Sequence, residues 1–141
     1  MPTSSFNKFN SFVEAVTEKV HNLGSDTIKV MLTNSAPSAS NTVKADITEI
    51  SAGNGYTAGG TAATVSSSAQ TAGTYKLVLA DVVFTAAGGS IGPFRYVVIY
   101  NDTATNDELI GYLDYGSALT INSGETFTTD FDASAGILTL A

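Results

Sequence analysis

The residue types that could perform catalysis or hold a metal are few in this chain of 141 residues. His21 is the single histidine and cysteine is absent, so no ordinary set of zinc ligands can be assembled. As a general base, His21 would need a nucleophile and an orienting acid, and its sequence neighbours supply neither. A histidine at the end of a predicted helix instead interacts favourably with the helix dipole. We therefore expect no catalytic residue, no metal site and no enzyme activity.

The carboxylates fall into two small groups. Asp102, Asp107 and Glu108 share one polar loop, and Asp130 and Asp132 lie two residues apart near a strand end. Such groups suggest calcium ligands or paired carboxylates that hydrolyse glycosides. The EF-hand spacing is missing, and Asp is common in turns because its side chain bonds nearby backbone amides. The sequence favours a role in turns, with calcium binding as the alternative.

Glycine-rich stretches and basic residues give no sign of phosphate recognition. Gly53-Asn54-Gly55 and Gly59-Gly60 lack the lysine of a Walker motif and the strand–helix context of a dinucleotide fingerprint, so no cofactor is expected. All six basic residues lie in the first 95 positions, whereas residues 96–141 contain seven acids and no base. Direct nucleic-acid binding is not expected, because phosphate contacts require Lys and Arg.

The overall composition is acidic but poor in charge. The net charge is −7, and 13% of residues are charged, against about 25% in ordinary soluble domains. Lack of cysteine excludes disulfides and agrees with assembly in a reducing cytosol. The first residues lack the basic and apolar regions of a signal peptide, and no apolar run is long enough to span a bilayer. We expect neither export nor membrane contact.

An amphipathic helix is predicted over residues 5–23. Ser4 or Ser5 is a suitable N-cap, and Gly24 a suitable C-cap. Its apolar stripe has spacings of three and four and consists of Phe6, Phe9, Val13, Val16, Val20 and Leu23. We expect this stripe to pack on the protein's own sheet. Docking on a neighbouring subunit is the alternative.

The rest of the sequence indicates a mainly β fold, an antiparallel β-sandwich or barrel forming one domain over residues 1–141. Strands are predicted at residues 28–33, 75–85, 94–100, 109–115, 118–121, 125–131 and 137–140, with one helical turn at 46–50. The strand at 109–115 should pair with 94–100, and residues 122–124 should close a hairpin. A change of parity near Asp81 indicates a bulge or bend. Residues 51–73, rich in Gly, Ser and Ala, should form a flexible loop or arm, with a short strand around residues 64–68 as an alternative for that part.

Several blocks of the sequence resemble a set of small structural proteins from tailed-bacteriophage genomes. These blocks are Phe6-Asn7-Lys8-Phe9, His21-Asn22-Leu23-Gly24, residues 26–34 (DTIKVMLTN), residues 52–60 (AGNGYTAGG), residues 95–102 (RYVVIYND) and residues 109–116 (LIGYLDYG). The resemblance covers most of the chain except residues 61–74. It implies a virion component, assembled in the host cytoplasm, with no catalytic residues to carry over.

Within that class, a capsid decoration (cement) protein is the leading expectation. Such a protein stabilises the head through contacts with other virion proteins, above all the major capsid protein, and we expect a homo-oligomer. The helix stripe and residues 51–73 are the candidate contact regions. The alternatives are a tail-tube or other tail or neck protein, and a receptor- or carbohydrate-binding fibre module. The fibre module would use the tyrosines Tyr56, Tyr100, Tyr112 and Tyr115 as its platform.

Overall fold

This computed structural model describes residues 3–141, which contain ten strands, one short α-helix and one 3-10 helix joined by turns and loops. In chain order the elements are β1 (Asn7–Lys8), α1 (Ser11–Thr17), β2 (Ile28–Thr33), a 3-10 helix (Lys44–Asp46), β3 (Thr61–Ala63), β4 (Val65–Thr71), β5 (Thr74–Leu79), β6 (Val82–Thr85), β7 (Ile91–Asn101), β8 (Leu109–Ile121), β9 (Thr126–Thr129) and β10 (Leu138–Leu140). The mainly β class with one N-terminal helix is confirmed. Residues 1–2 of the predicted domain lie outside the described residues.

The strands form three antiparallel sheets. The largest has the order β1-β8-β7-β2-β3, a second has the order β10-β5-β4, and β6 pairs with β9. Among the described residues these sheets are open and sandwich-like rather than closed into a barrel. The predicted pairing of residues 94–100 with 109–115 is confirmed by β7 and β8.

The largest sheet is covered on both faces. Successive side chains of a strand point to opposite faces, and along β2 Val30 and Leu32 enter the main core, whereas Met31 enters a second, smaller one. Ile99 and Val98 of β7 divide in the same way. Burial of each such side chain contributes about 1.5–3 kcal/mol. The strand β2 is therefore buried on both sides.

The helix predicted over residues 5–23 is much shorter, because tertiary contacts override the periodic pattern at its start. Asn7 and Lys8 pair with Tyr112 and Gly111 at the edge of β8 instead of coiling. The helix N-cap is residue 10, so the predicted caps at Ser4 or Ser5 are wrong. Within residues 3–141 no helix combines the length and apolarity needed to cross a membrane.

The C-terminal end of α1 is set by a lysine. Lys19 adopts a left-handed φ of 67°, and the N–H groups of Lys19 and Val20 bond to the carbonyls of Val16 and Ala15 at 3.4 and 2.8 Å. This is the bonding pattern of a Schellman motif, which terminates a helix. The predicted C-cap at Gly24 is therefore wrong. The packing face of the helix is built from Phe12 and Ala15, so α1 packs within the protein's own fold.

Residues 51–73 are not a long flexible loop, because they contain β3 and β4. The preceding glycines allow backbone to approach backbone. A Cβ at Gly60 would lie 1.9 Å from the Val30 carbonyl oxygen, and one at Gly55 would lie 2.1 Å from that of Thr85. Small residues here permit close contact between segments, which composition alone cannot distinguish from disorder.

Three further predictions differ in detail. The predicted strand at 75–85 is divided into β5 and β6, with the break at Ala80 and Asp81, where a bulge or bend is expected. The hairpin predicted around residues 122–124 is wrong, since 118–121 end β8 and β9 pairs with β6. The helical turn predicted at 46–50 lies earlier, at Lys44–Asp46.

Candidate functional site

His21, the first residue considered for chemistry, is buried behind the end of α1. It is 7% exposed, and its ring lies 5.4 Å from that of Phe12. Its Nδ1 atom is 3.0 Å from Nδ2 of Asn101, at the end of β7. Its Nε2 atom is buried without a hydrogen-bond partner among the described residues.

The Asn101 side chain determines the protonation of that ring. Its Nδ2 donates to Asp26 at 2.7 Å, while its Oδ1 accepts from the backbone N–H of Thr103 at 2.9 Å. The amide orientation is therefore fixed, and Nδ1 of His21 can only accept, which requires the neutral ring. Burial lowers the pKa of His21, although the charges of Glu108 and Asp26 oppose that shift. The His21 cluster (His21, Asp26 and Asn101) joins the segment after α1 to the start of β2 and the end of β7.

A second buried cluster was not anticipated from the sequence. Oε1 of Glu49 accepts from the Tyr56 hydroxyl at 2.7 Å and from the Gly59 N–H at 2.6 Å. The Tyr56 hydroxyl also accepts from the Leu32 N–H at 3.1 Å, and the Tyr100 hydroxyl donates to the Gly59 carbonyl at 2.6 Å. We call Glu49, Tyr56, Gly59 and Tyr100 the Tyr56 cluster. Its only sequence signal is one aromatic residue within a stretch of small ones.

Burial raises the pKa of both tyrosines well above the ordinary value. Their hydroxyls therefore remain protonated and donate hydrogen bonds at all ordinary pH values. The Tyr56 cluster consequently holds the turn of residues 53–60 against β2 and β7. This arrangement stabilises a loop.

The acidic loop after β7 is structural in the contacts that it makes. Asp102 forms an ion pair with Lys29 at 3.1 Å. Glu108 accepts hydrogen bonds at 3.2 Å from the backbone and side-chain amides of Asn106, and Asp107 adopts a left-handed φ of 54°. These are the uses of Asp, Asn and Glu that turns favour.

Asp130 and Asp132, the other acidic pair, border a groove of about 900 Å³ between β5 and residues 130–133. Asp132 accepts hydrogen bonds from the N–H groups of Ser134 and Ala135 at 2.7 and 2.9 Å. Both bonds lower the pKa of Asp132, and the bond from Ala135 has the larger effect. Asp81, on the same groove, accepts from the Phe131 N–H at 2.8 Å. In residues 3–141, no three His, Asp or Glu side chains are grouped to hold a metal ion.

The four tyrosines do not share an exposed surface. Tyr56 and Tyr100 are 3% and 0% exposed. Tyr112 is half-buried against Phe9, with ring centroids 5.3 Å apart, and the Tyr115 ring packs against another phenylalanine. Aromatic stacking on a sugar requires an open ring face, which the two buried tyrosines lack.

One open feature of the surface is the edge strand β4. β4 pairs with β5 along one side, and within the described chain its other side has no strand partner. Ser66, Ser67, Ala69, Gln70 and Thr71 are all exposed. Backbone N–H and C=O groups along such an edge can pair with a further strand.

Comparison of the chain with models of protein families, with curated proteins and with solved structures gives no match. The likeness to phage structural proteins stays an expectation drawn from the sequence blocks quoted above. In the fold these blocks supply β2, most of β7 and the first half of β8. They also contain all members of the His21 cluster and, except for Glu49, those of the Tyr56 cluster.

Proposed function

We propose that this chain is a structural subunit of a tailed-bacteriophage particle, specifically a capsid decoration protein that stabilises the head by protein–protein contacts. The observation that carries the proposal is the structural role of the sequence blocks that resemble phage proteins. Their side chains fill the interior of the largest sheet, and polar members such as Asp26, Tyr56 and Asn101 bond to one another and to backbone groups. The shared residues thus maintain a shape, which is the requirement of a subunit that works by fitting its neighbours.

The surface composition supports the same role. With six basic and thirteen acidic residues in 141, much of the surface consists of Ser, Thr, Ala, Asn and Gly. The centres of protein interfaces are depleted in charge, because each buried charge must be desolvated. A subunit that covers about 800 Å² of a partner therefore benefits from such a surface.

The proposed partner is the major capsid protein, with the decoration subunit lying across neighbouring capsid subunits on the outside of the head. Contacts that exist only when the shell is intact stabilise the intact shell, as any ligand of the assembled state does. No chemical step is required. The chain acts through the area that it buries and the hydrogen bonds that it completes.

The test is rebinding to heads that lack this protein. Heads from a deletion mutant of the encoding phage are mixed with purified protein, and bound copies are counted against protein concentration. We expect saturation at a fixed ratio to the capsid protein, together with release of DNA at a higher temperature. The matched control is an unrelated acidic β-protein of similar size. Binding no greater than that of the control would overturn the proposal.

A tail-tube subunit is the second candidate, favoured by the distribution of charge. Residues 96–141 contain seven acids and no base, and an acidic lumen would let DNA pass without adhering to it. Electron microscopy of the purified protein separates the two functions. Stacked rings or tubes would favour the tail, whereas small discrete particles favour decoration.

A further inference from the structure

The unpaired side of β4 lacks the features by which proteins usually prevent strands from pairing. Edge strands are ordinarily protected by charged residues, proline, bulges or a covering segment. Residues 50–75 contain no charged residue and no proline. The only irregularity in pairing between β4 and β5 lies between Val65 and Ser67, so residues 67–71 form a regular edge of five residues.

The two faces of this edge differ. Ser68 points towards the protein, where its hydroxyl lies 2.8 Å from the Tyr75 hydroxyl. Because side chains alternate along a strand, Ser67, Ala69 and Thr71 share the opposite face, and all three are exposed. The exposed face consists of small side chains, so nothing bulky prevents another strand from approaching.

We propose that two copies of this chain pair through β4, antiparallel and around a two-fold axis. The two sheets of order β10-β5-β4 then join into one continuous sheet of six strands. The inference goes beyond the proposed function, since it concerns the free protein in solution and holds whether the chain decorates a head or not.

Charge identifies the second copy as the occupant. Each chain carries a net charge of −7, so two copies repel each other except where they meet through an uncharged surface. The β4 edge lies within the longest uncharged segment of the chain. The side chains of residues 67–71 themselves form no ion pair with a partner, although Lys76 lies opposite Ala69 on the neighbouring strand. Ser and Thr pair favourably with their own kind across antiparallel strands.

Symmetry makes this arrangement testable by charge. A two-fold axis that relates adjacent antiparallel strands is perpendicular to the sheet, so each face of one copy continues into the same face of the other. With the axis at Ala69, the middle of the regular edge of residues 67–71, Ser67 of each copy lies beside Thr71 of the other. The double variant Ser67→Lys/Thr71→Lys places like charges there, and Ser67→Glu/Thr71→Glu does the same with the opposite sign.

The experiment is sedimentation velocity of the purified full chain over the micromolar range. We expect the unmodified protein to dimerise and each double variant to dimerise roughly tenfold more weakly, because two like-charge cross-strand pairs form at once. An equimolar mixture of the Lys and Glu variants should recover dimerisation, since opposite charges then face each other. Ser51→Lys/Thr105→Lys, at exposed positions outside the strands, is the matched control and should dimerise normally.

Recovery in the mixture distinguishes pairing at β4 from damage to the fold, which mixing cannot repair. Far-UV circular dichroism confirms that each variant is folded. A monomeric unmodified protein would overturn the inference. So would dimerisation that the Lys variant leaves unchanged, or a loss that the mixture fails to reverse. Failure to bind heads would leave it standing, so the two proposals fail independently.

Discussion

Removing the Tyr56 hydroxyl should destabilise the protein by far more than the loss of one exposed polar group would. In Tyr56→Phe the ring keeps its place in the core, where it is 3% exposed, so no cavity forms. Two hydrogen bonds disappear, the one received from the Leu32 N–H at 3.1 Å and the one given to Glu49 at 2.7 Å. The change therefore isolates the polar contribution of the Tyr56 cluster.

The expected loss of stability depends on whether the Leu32 N–H and the Glu49 carboxylate can find other hydrogen-bond partners after the substitution. Leu32 is 0% exposed, so its N–H becomes a buried donor without a partner, which costs about 1–3 kcal/mol. Glu49 retains the Gly59 N–H and is partly exposed, so water can compensate for most of its loss. We expect a decrease in the free energy of unfolding of about 2 kcal/mol.

Urea unfolding, followed by circular dichroism, measures this change. Tyr115→Phe is the matched control, because its hydroxyl makes no hydrogen bond within the described chain; its effect should stay within about 0.5 kcal/mol. Combining Tyr56→Phe with Glu49→Gln should cost less than the sum of the two single changes by at least about 0.5 kcal/mol. A Tyr56→Phe effect as small as the control's would refute the reasoning.

Three further predictions concern other parts of the fold. Burial lowers the pKa of His21, so the unfolded chain binds a proton at this ring more readily than the folded protein does. Stability should therefore fall as pH decreases from about 7 to about 5. His21→Gln should make the urea midpoint depend less on pH, and an equal pH dependence in both proteins would contradict this prediction. Gly60→Ala places a Cβ 1.9 Å from a carbonyl oxygen and should lower the free energy of unfolding by more than about 3 kcal/mol. Gly73→Ala, with similar φ but open space around it, should lower it by about 1 kcal/mol. Similar thermal midpoints for the two variants would show that the backbone contact at Gly60 is not tight. Phe9→Ala should lower the free energy of unfolding by about 3–5 kcal/mol. Val13 is 48% exposed, so Val13→Ala should change it by under about 0.5 kcal/mol. Equal effects of the two variants in calorimetry would mean that the predicted helix stripe, and not Phe9, anchors the N-terminal end of the chain.

The strands were predictable where local pattern and tertiary packing agree. Residues 28–33 alternate, residues 94–100 are apolar apart from Arg95, and both are strands of the largest sheet. The helix was predicted too long because Phe6 and Phe9 continue the spacing of the helical stripe. The backbone between them instead pairs with β8, through Asn7 and Lys8. Periodicity shows how apolar residues are spaced along the chain. It does not show that the edge of a sheet elsewhere in the fold is available for pairing.

The two polar clusters were predictable only in part. His21 was visible as the single histidine, yet its partner Asn101 lies 80 positions away, and nothing local links the two. Residues 51–60 appeared unstructured because small residues bury little area. Their order comes instead from Tyr56 and from glycines that admit a neighbouring backbone, and such contacts have no sequence period.

Under the proposal that a tailed bacteriophage encodes this chain, locating it in the mature particle tests the central claim most directly. Cryo-electron microscopy of that particle should show the β-sandwich-like fold on the outer surface of the head, at positions shared by neighbouring capsid subunits. Density for this fold in the tail, or its absence from the particle, would contradict the assignment as a decoration protein.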